Sequence, residues 1–564
     1  MPLRRTLVLA VCLVALVPGI LGAQPPKVYW ADEVPKGWNG VWPAKYLTVA
    51  EKSGYTRTMT STELLEWVDT IRWNSEQVHV FSVFTSTIRH APAPAIVLAS
   101  PRVTTPAEAL ASGKPVVFLM ANIHPPEPEG SEALLMVVRD ILFGKRRHLL
   151  DNQIVIVCPI FNVDGTDTLT LQDGTPHIAG VRANAAGFDL NRDAVKLETV
   201  EVNGLYQNVL NPWDPVLFLD AHLMGRVKHG YANVYATSTV PAAHPGPRGY
   251  VWDTLFPAVR DAVRRDFGLE TFTHALSDEA NWPPTVWSHD NAIWSTEAKF
   301  VVGDYGLRNR MSIITETPGH PSFERRIYAQ YDYMLALLDY TNAHGREMQK
   351  VCHDADEETV AKVRAQAESG QLRNWLEGRY ESRGTIDLLA YRSNEAAFIP
   401  GTSVKGTKPG TAAGAPELVH GVNDLTKPVG TKDAWVPRGY LIPAEFKDLV
   451  AKLRTHNVKV AALDAPLAAT GEEFVADRME KRNGMTRLAG GFFGPTTREF
   501  PAGTFLVDMA QPMANAAFYY LEPQAADGFV GWGVLDDALR ALGLDKHPVV
   551  YPIFKMRAPV TPSK

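Results

Sequence analysis

Between residues 60 and 345, short runs of apolar residues alternate with segments of helical periodicity. The runs are Val78 to Phe84, Ile96 to Ala99, Val116 to Ile123, Ile154 to Ile160, Val216 to Leu219 and Met311 to Ile314, most of them bounded by Pro, Asn or Asp. Short apolar runs with such boundaries read as buried strands. Helical spacing appears where Thr60 and Glu63 form a capping-box pattern ahead of Leu64, Leu65, Val68 and Ile71. It appears again over Ser131 to Phe143, over about Tyr250 to Phe267 closed by Gly268, and over Phe323 to His344 closed by Gly345. Strands that alternate with helices restrict the chain to an α/β fold, a mixed and mostly parallel sheet flanked by helices.

The two ends of the chain read differently. Arg4 and Arg5 precede an apolar run from Leu7 to Leu21 that ends in Leu21-Gly22-Ala23, the pattern of a secretory signal cleaved after Ala23. The run is shorter than the roughly 20 residues of a membrane-spanning helix, and an uncleaved anchor is the alternative. The expected location is therefore secreted or periplasmic, with no transmembrane segment in the mature chain. A second region begins near residue 350. There an acidic helix over Asp354 to Glu368 ends at Gly370, and the Gly/Pro/Ala-rich stretch Pro400 to Pro416 reads as a loop or linker. Tyr440 to Ile442, Glu445 to His456 and Val458 to Leu463 read as a strand, helix, strand unit. The expected organisation is a signal peptide over 1–23, a catalytic domain over 24–349 and a smaller α/β accessory region over 350–564.

Charge and cysteine content narrow the chemistry. With Lys+Arg 56 against Asp+Glu 62, no basic excess exists to neutralise a phosphate backbone, so nucleic acid is not an expected partner. Of the three cysteines, Cys12 lies in the leader, Cys158 in an apolar run and Cys352 far away in a polar stretch, which indicates neither a disulfide framework nor a cysteine metal site. Of the 16 histidines, 12 fall between residues 24 and 345 and the other four are scattered without metal-ligand spacing, which assigns the chemistry to the first region.

The run Val116 to Ile123 is followed at once by His124-Pro125-Pro126-Glu127-Pro128-Glu129-Gly130. Two prolines between His124 and Glu127 exclude a regular helix, so this is a loop at a strand's end and not the helical zinc motif. A histidine nitrogen and a carboxylate on such a loop can both reach one Zn²⁺ at about 2 Å, and a second histidine must come from elsewhere. His222, directly after Val216-Leu217-Phe218-Leu219-Asp220-Ala221, ends another buried strand. A lone His-x-x-Glu is common by chance. The convergence carries more, because His124, Asn162, His222 and Glu316 all sit at strand ends, where open α/β sheets gather functional residues. The segment from Arg182 to Asp193 adds Asp189, Asn191 and Arg192, and arginine forks bind carboxylates bidentately.

The order of these motifs, from about residue 50 to 345, resembles that of the zinc metallocarboxypeptidase family, in particular its large secreted bacterial members with a C-terminal accessory region. The resemblance implies one Zn²⁺ per chain, bound by His124, Glu127 and His222. It further implies that Asp189 orients His124, that Asn191 and Arg192 grip the terminal carboxylate of a substrate, that Arg182 stabilises the oxyanion and that Glu316, in Ile313-Ile314-Thr315-Glu316-Thr317, is the general base. Arg182 stands closer to Asn191 than the corresponding arginine does in the digestive members. Tyr305, in Gly303-Asp304-Tyr305-Gly306, is the only nearby counterpart of their mobile tyrosine, at a different spacing, and reads equally as a packed aromatic. The expected activity is hydrolysis of C-terminal peptide bonds, on a peptide or acyl-amino-acid substrate with a free carboxylate. Two other readings stay beside it. A zinc amidohydrolase or deacylase acting on acyl amino acids or peptidoglycan stem peptides needs the same carboxylate clamp, whereas a non-catalytic peptide-binding module has no need of Glu316.

Overall fold

A computed structural model describes residues 42–168, 171–172, 175–176, 180–225, 227–278, 281–290, 294–319, 321–392, 416–482 and 484–559. The expected signal peptide and most of the Pro400 to Pro416 stretch lie outside these residues. One sheet of eight strands organises the first region. Its members are β1 (Val78–Thr85), β2 (Pro92–Leu98), β3 (Val116–Ala121), β4 (Ile154–Cys158), β5 (Leu217–Met224), β6 (Asn233–Ala236), β7 (Thr271–Thr273) and β8 (Met311–Pro318). They lie in the order β1-β2-β4-β3-β5-β8-β6-β7. The centre, β4-β3-β5-β8, is parallel throughout, while β1, β2 and β6 make the antiparallel pairings at either side. Every residue of β3 and β4 is buried. Successive strand residues face opposite sides, so the sheet must be covered on both faces, and this is why its strands are continuous apolar runs. Each large side chain so buried contributes about 1.5–3 kcal/mol.

Helices of this region include α1 (Ser61–Asn74), α2 (Glu129–Phe143), α3 (Phe256–Phe267), α4 (Val301–Gly306) and α5 (Phe323–Gln366). The capping box at Thr60 and Glu63 is present, with each side chain bonded to the other residue's backbone amide. Gly268 closes α3 in the left-handed conformation, at φ 72°.

Two features depart from the sequence-based expectation. The helix expected to stop at Gly345 continues to Gln366, so the acidic helix is its second half and position 350 lies inside α5. Gly345 serves close packing instead of termination: a Cβ there would lie 2.5 Å from Pro115 Cγ. Beyond α5 the chain is also richer in strands than a strand, helix, strand unit. Gly439–Ile442 and α6 (Lys447–Thr455) form as expected, whereas Val458 to Leu463 contributes only Ala461–Ala462. These strands join a seven-stranded sheet built on a long hairpin, β9 (Leu467–Arg482) and β10 (Met485–Phe500).

The two regions share a core. Val195, Val240 and Leu307 from the first pack in one cluster with Tyr440, Leu449, Phe474 and Phe518 from the second. Among the described residues, no helix is long and apolar enough to cross a membrane.

Candidate active site

The parallel centre of the sheet places the site. Ala121 of β3 stands level with Ala221 of β5, and His222 stands level with Glu316 of β8, so the end of β3 lies in a row beside His222 and Glu316, two residues before β5 and β8 end. At the end of β3, Asn122 takes a left-handed backbone, φ 62°, and its side-chain oxygen accepts a hydrogen bond from the Thr166 hydroxyl at 2.8 Å. Asparagine tolerates this conformation better than most residues, and the turn it makes starts the loop that carries His124. A tight turn, with Glu127 N donating to His124 O at 2.9 Å, then brings the carboxylate back toward the ring.

His124, Glu127 and His222 are all buried, and one potential ligand atom from each lies within 4.8 Å of the others. Each histidine is held from behind by a carboxylate. His124 Nε2 is 3.0 Å from Asp189 Oδ1, and His222 Nε2 is 2.8 Å from Asp220 Oδ2. A carboxylate only accepts, so each Nε2 carries the proton and each Nδ1 offers a lone pair. Those Nδ1 atoms face Glu127, at 3.1 Å for His124 and 2.8 Å for His222. An acceptor nitrogen facing an acceptor carboxylate is favourable only when a proton or a cation is shared between them. The His124 Nδ1 atom is buried with no hydrogen-bond partner, as suits a metal ligand.

The electrostatics agree. Burial disfavours charge on His222, but Asp220 and Glu127 outweigh it and hold the imidazole well above its ordinary range. Burial likewise opposes ionisation of Glu127, and the two histidines overcome it. Glu316 differs. Burial raises its carboxyl, the nearby Glu127 raises it further, and His222 and His124 only partly compensate. Its Oε2 atom is buried without a partner.

Arg182 lies beside the cluster, donating from Nε to Asp189 Oδ2 at 3.0 Å and from Nη1 to Glu127 Oε1 at 3.2 Å, with its side chain 47% exposed. Arg192 is half-buried. It donates to its neighbour Asn191 O at 2.7 Å and stacks over the Phe300 ring at 4.4 Å. Two residues expected at the site are placed otherwise. Asn191 is 2% exposed, its Oδ1 accepts from Val301 N at 3.1 Å, and its Nδ2 sits 3.3 Å from His222 Nε2. With Nε2 of His222 donating to Asp220, the Asn191 amide nitrogen beside it finds no acceptor there, and Asn191 is buried against His222 with its oxygen turned to Val301. Tyr305 lies wholly buried in α4, where its hydroxyl donates to the Pro215 carbonyl at 2.5 Å. Pro215 precedes β5 and His222 lies seven residues further along, on the order of 20 Å at the usual strand rise, so Tyr305 belongs to the opposite end of the strand.

Two supporting residues carry more than their sequence context announces. Asp220 shares a strand face with His222 because it stands two residues earlier, a period-2 signal present in the sequence. Asn162 caps a short helical turn through Gly165 N, and its amide donates to the Ile123 and Arg182 carbonyls, tying the His124 loop to the arginine segment.

Residues 66–210 match the family model described as zinc carboxypeptidase. That stretch is similar to a zinc carboxypeptidase domain. The matched stretch contains His124, Glu127, Arg182 and Arg192 but ends before His222 and Glu316, which the sheet register adds to the same place. Carboxypeptidase 2 of Trichophyton rubrum is 22% identical over 475 residues, covering 78% of this chain and 76% of that protein. Carboxypeptidase 2 of Trichophyton equinum is 23% identical over the same shares. Among solved structures, a metallo-carboxypeptidase from Burkholderia cenocepacia aligns at 18% identity and TM-score 0.36, over 50% of this chain and 69% of that one. Carboxypeptidase A from Helicoverpa armigera aligns at 13% and 0.39, over 53% and 79%. The matched stretch falls in the mixed α/β layer whose metal-ligand candidates stand just past β3 and near the end of β5.

Proposed function

We propose that the chain is a secreted zinc carboxypeptidase that hydrolyses C-terminal peptide bonds, with His124, Glu127 and His222 holding one Zn²⁺. The observation that carries this reading is the convergence of two histidine Nδ1 atoms on one buried carboxylate, with each ring's other nitrogen braced by an aspartate. Bound there, Zn²⁺ supplies Lewis acidity and lowers the pKa of a coordinated water. Glu316 takes up the proton released by the attacking water and passes it to the leaving amine, a task suited to a carboxyl whose burial raises its proton affinity. Arg182 presents a half-exposed guanidinium beside Glu127, where it stabilises negative charge developing on the scissile carbonyl oxygen. Arg192 keeps donors free for the terminal carboxylate while Phe300 holds its plane. Asp189 and Asp220 keep both rings in the Nε2-protonated form. The leader pattern at Arg4 to Ala23 supports export. Residues 24–349 carry the reaction in this reading, and 350–564 wall and support it.

Two tests follow from separate halves of the site. The chain is expected to bind one zinc. Asp220→Ala should weaken binding by about 10- to 100-fold, as losing an outer partner does, and His222→Ala by more than that. Metal analysis and competition titration read both, and stoichiometric zinc at unchanged affinity in His222→Ala would show the ligand assignment to be wrong. Arg192→Ala should raise KM for free-acid peptides by about 10-fold or more while leaving an amidated peptide, which never used the clamp, nearly unaffected. Equal impairment of free and amidated peptides would replace the exopeptidase reading with a deacylase or endopeptidase one.

A further inference from the structure

Arg192 opens on its outer side into a cavity of roughly 660 Å³, within the range typical of small-ligand sites. Its walls come from both regions. Arg192 and Lys299 belong to the first, and Glu377, Arg482 and Arg487 to the second, the last two from the turn end of the β9 and β10 hairpin. The charges do not balance. Glu297, also in the wall, is engaged by Lys299 at 2.7 Å, and Glu377 faces Lys432 at 3.7 Å. Among the described residues, Arg482 has no ion-pair or hydrogen-bond partner. Arg487 makes only a bond to the Thr486 carbonyl at 3.2 Å, and Arg192 only one to the Asn191 carbonyl. Among the described residues, three guanidiniums therefore face one cavity without an ion pair to a carboxylate. Arg192 and Arg487 are half-buried, which makes unmatched charge costlier than on an open surface.

We infer that this cavity receives the side chain of the substrate's terminal residue and selects an acidic one, so that C-terminal glutamate or aspartate is removed in preference to neutral residues. The inference rests on the proposed carboxypeptidase reading, in which Arg192 holds the terminal carboxylate. The side chain of the terminal residue leaves the same carbon as that carboxylate and so lies next to the group that Arg192 holds. A second carboxylate there meets Arg482 and Arg487, and charge complementarity of this kind governs discrimination more than overall affinity.

The test compares the full zinc-loaded chain with an Arg482→Gln/Arg487→Gln double variant on three peptides, ending in Glu, in Gln, and in Gln preceded by Glu. The expected wild-type result is a kcat/KM for the Glu-terminated peptide about tenfold above that for its Gln-terminated twin, with the penultimate Glu giving less gain. In the double variant that preference should fall to about twofold or less, with the Gln-terminated peptide cleaved as before and the melting temperature unchanged. Equal wild-type rates on Glu and Gln termini, a gain confined to the penultimate Glu, or a parallel loss on all three peptides in the double variant would each overturn it. Calorimetry with N-acetylglutamate and N-acetylglutamine separates this inference from the reading beneath it. If no peptide is cleaved but N-acetylglutamate binds more tightly and loses that advantage in the double variant, the acidic subsite stands and the peptidase reading falls. If neither ligand is preferred, the subsite falls.

Discussion

Glu316→Gln is expected to keep zinc bound and substrate docked while lowering kcat by about 10² to 10⁴, the usual cost of losing a general base. Glutamine reproduces the shape of glutamate, so packing at the end of β8 should survive and the melting temperature should move little. What it removes is the ability to accept a proton at a buried oxygen that no protein group satisfies. Glu316 stands directly beside His222 on the neighbouring parallel strand, so a carboxylate at this position faces the cluster for geometric reasons. Single-turnover kinetics and metal analysis on the same preparation provide the measurement. Near-normal turnover in a zinc-loaded Glu316→Gln chain would make this glutamate structural and require a base elsewhere.

The site was legible where function and strand ends coincide. A strand buried on both faces is apolar along its buried length, so His124 just past β3 stands out at once, whereas β5 and β8 run two residues beyond His222 and Glu316, the positions expected to end them. Asp220 was harder to see because it interrupts an apolar run from within, although its spacing of two from His222 puts both on one face. Motif order singled out Asn191 and Tyr305 but could not say which way their side chains turn. Contacts made far along the chain decide that, with Val301 engaging one and Pro215 the other. The long hairpin escaped for a different reason. Asn483-Gly484 is a strong hairpin signal, yet Gly490, Gly491 and Gly494 and the bulges after Gly471 and Ala476 break the alternation that marks a strand. Gly345 misled because a glycine that permits close approach looks the same in sequence as one that caps a helix.

A chain cut to residues 24–349 is expected to give no cooperatively folded product, although every proposed catalytic residue lies inside it. The cut falls within α5 and removes Asp356, which bonds Asn309 and Arg310 at 3.0 Å each. It also removes Tyr520, whose hydroxyl donates to Asp304 at 2.6 Å. Asp304 is fully buried, burial pushes its carboxyl up to about 6, and among the described residues Tyr206 would be left as its one side-chain donor. Each buried polar group stripped of a partner costs about 1–3 kcal/mol. Val195, Val240 and Leu307 would lose the apolar cover they share with the second region, at about 1.5–3 kcal/mol for each large side chain exposed. Such losses together reach the whole stability of a typical domain, about 5–15 kcal/mol. Tyr520→Phe in the full chain isolates one of them and should lower stability by about 1–3 kcal/mol with the fold retained. Circular dichroism and thermal melting distinguish the outcomes. A 24–349 chain that melts cooperatively and binds zinc would show that the shared core is dispensable and that a domain boundary lies within α5.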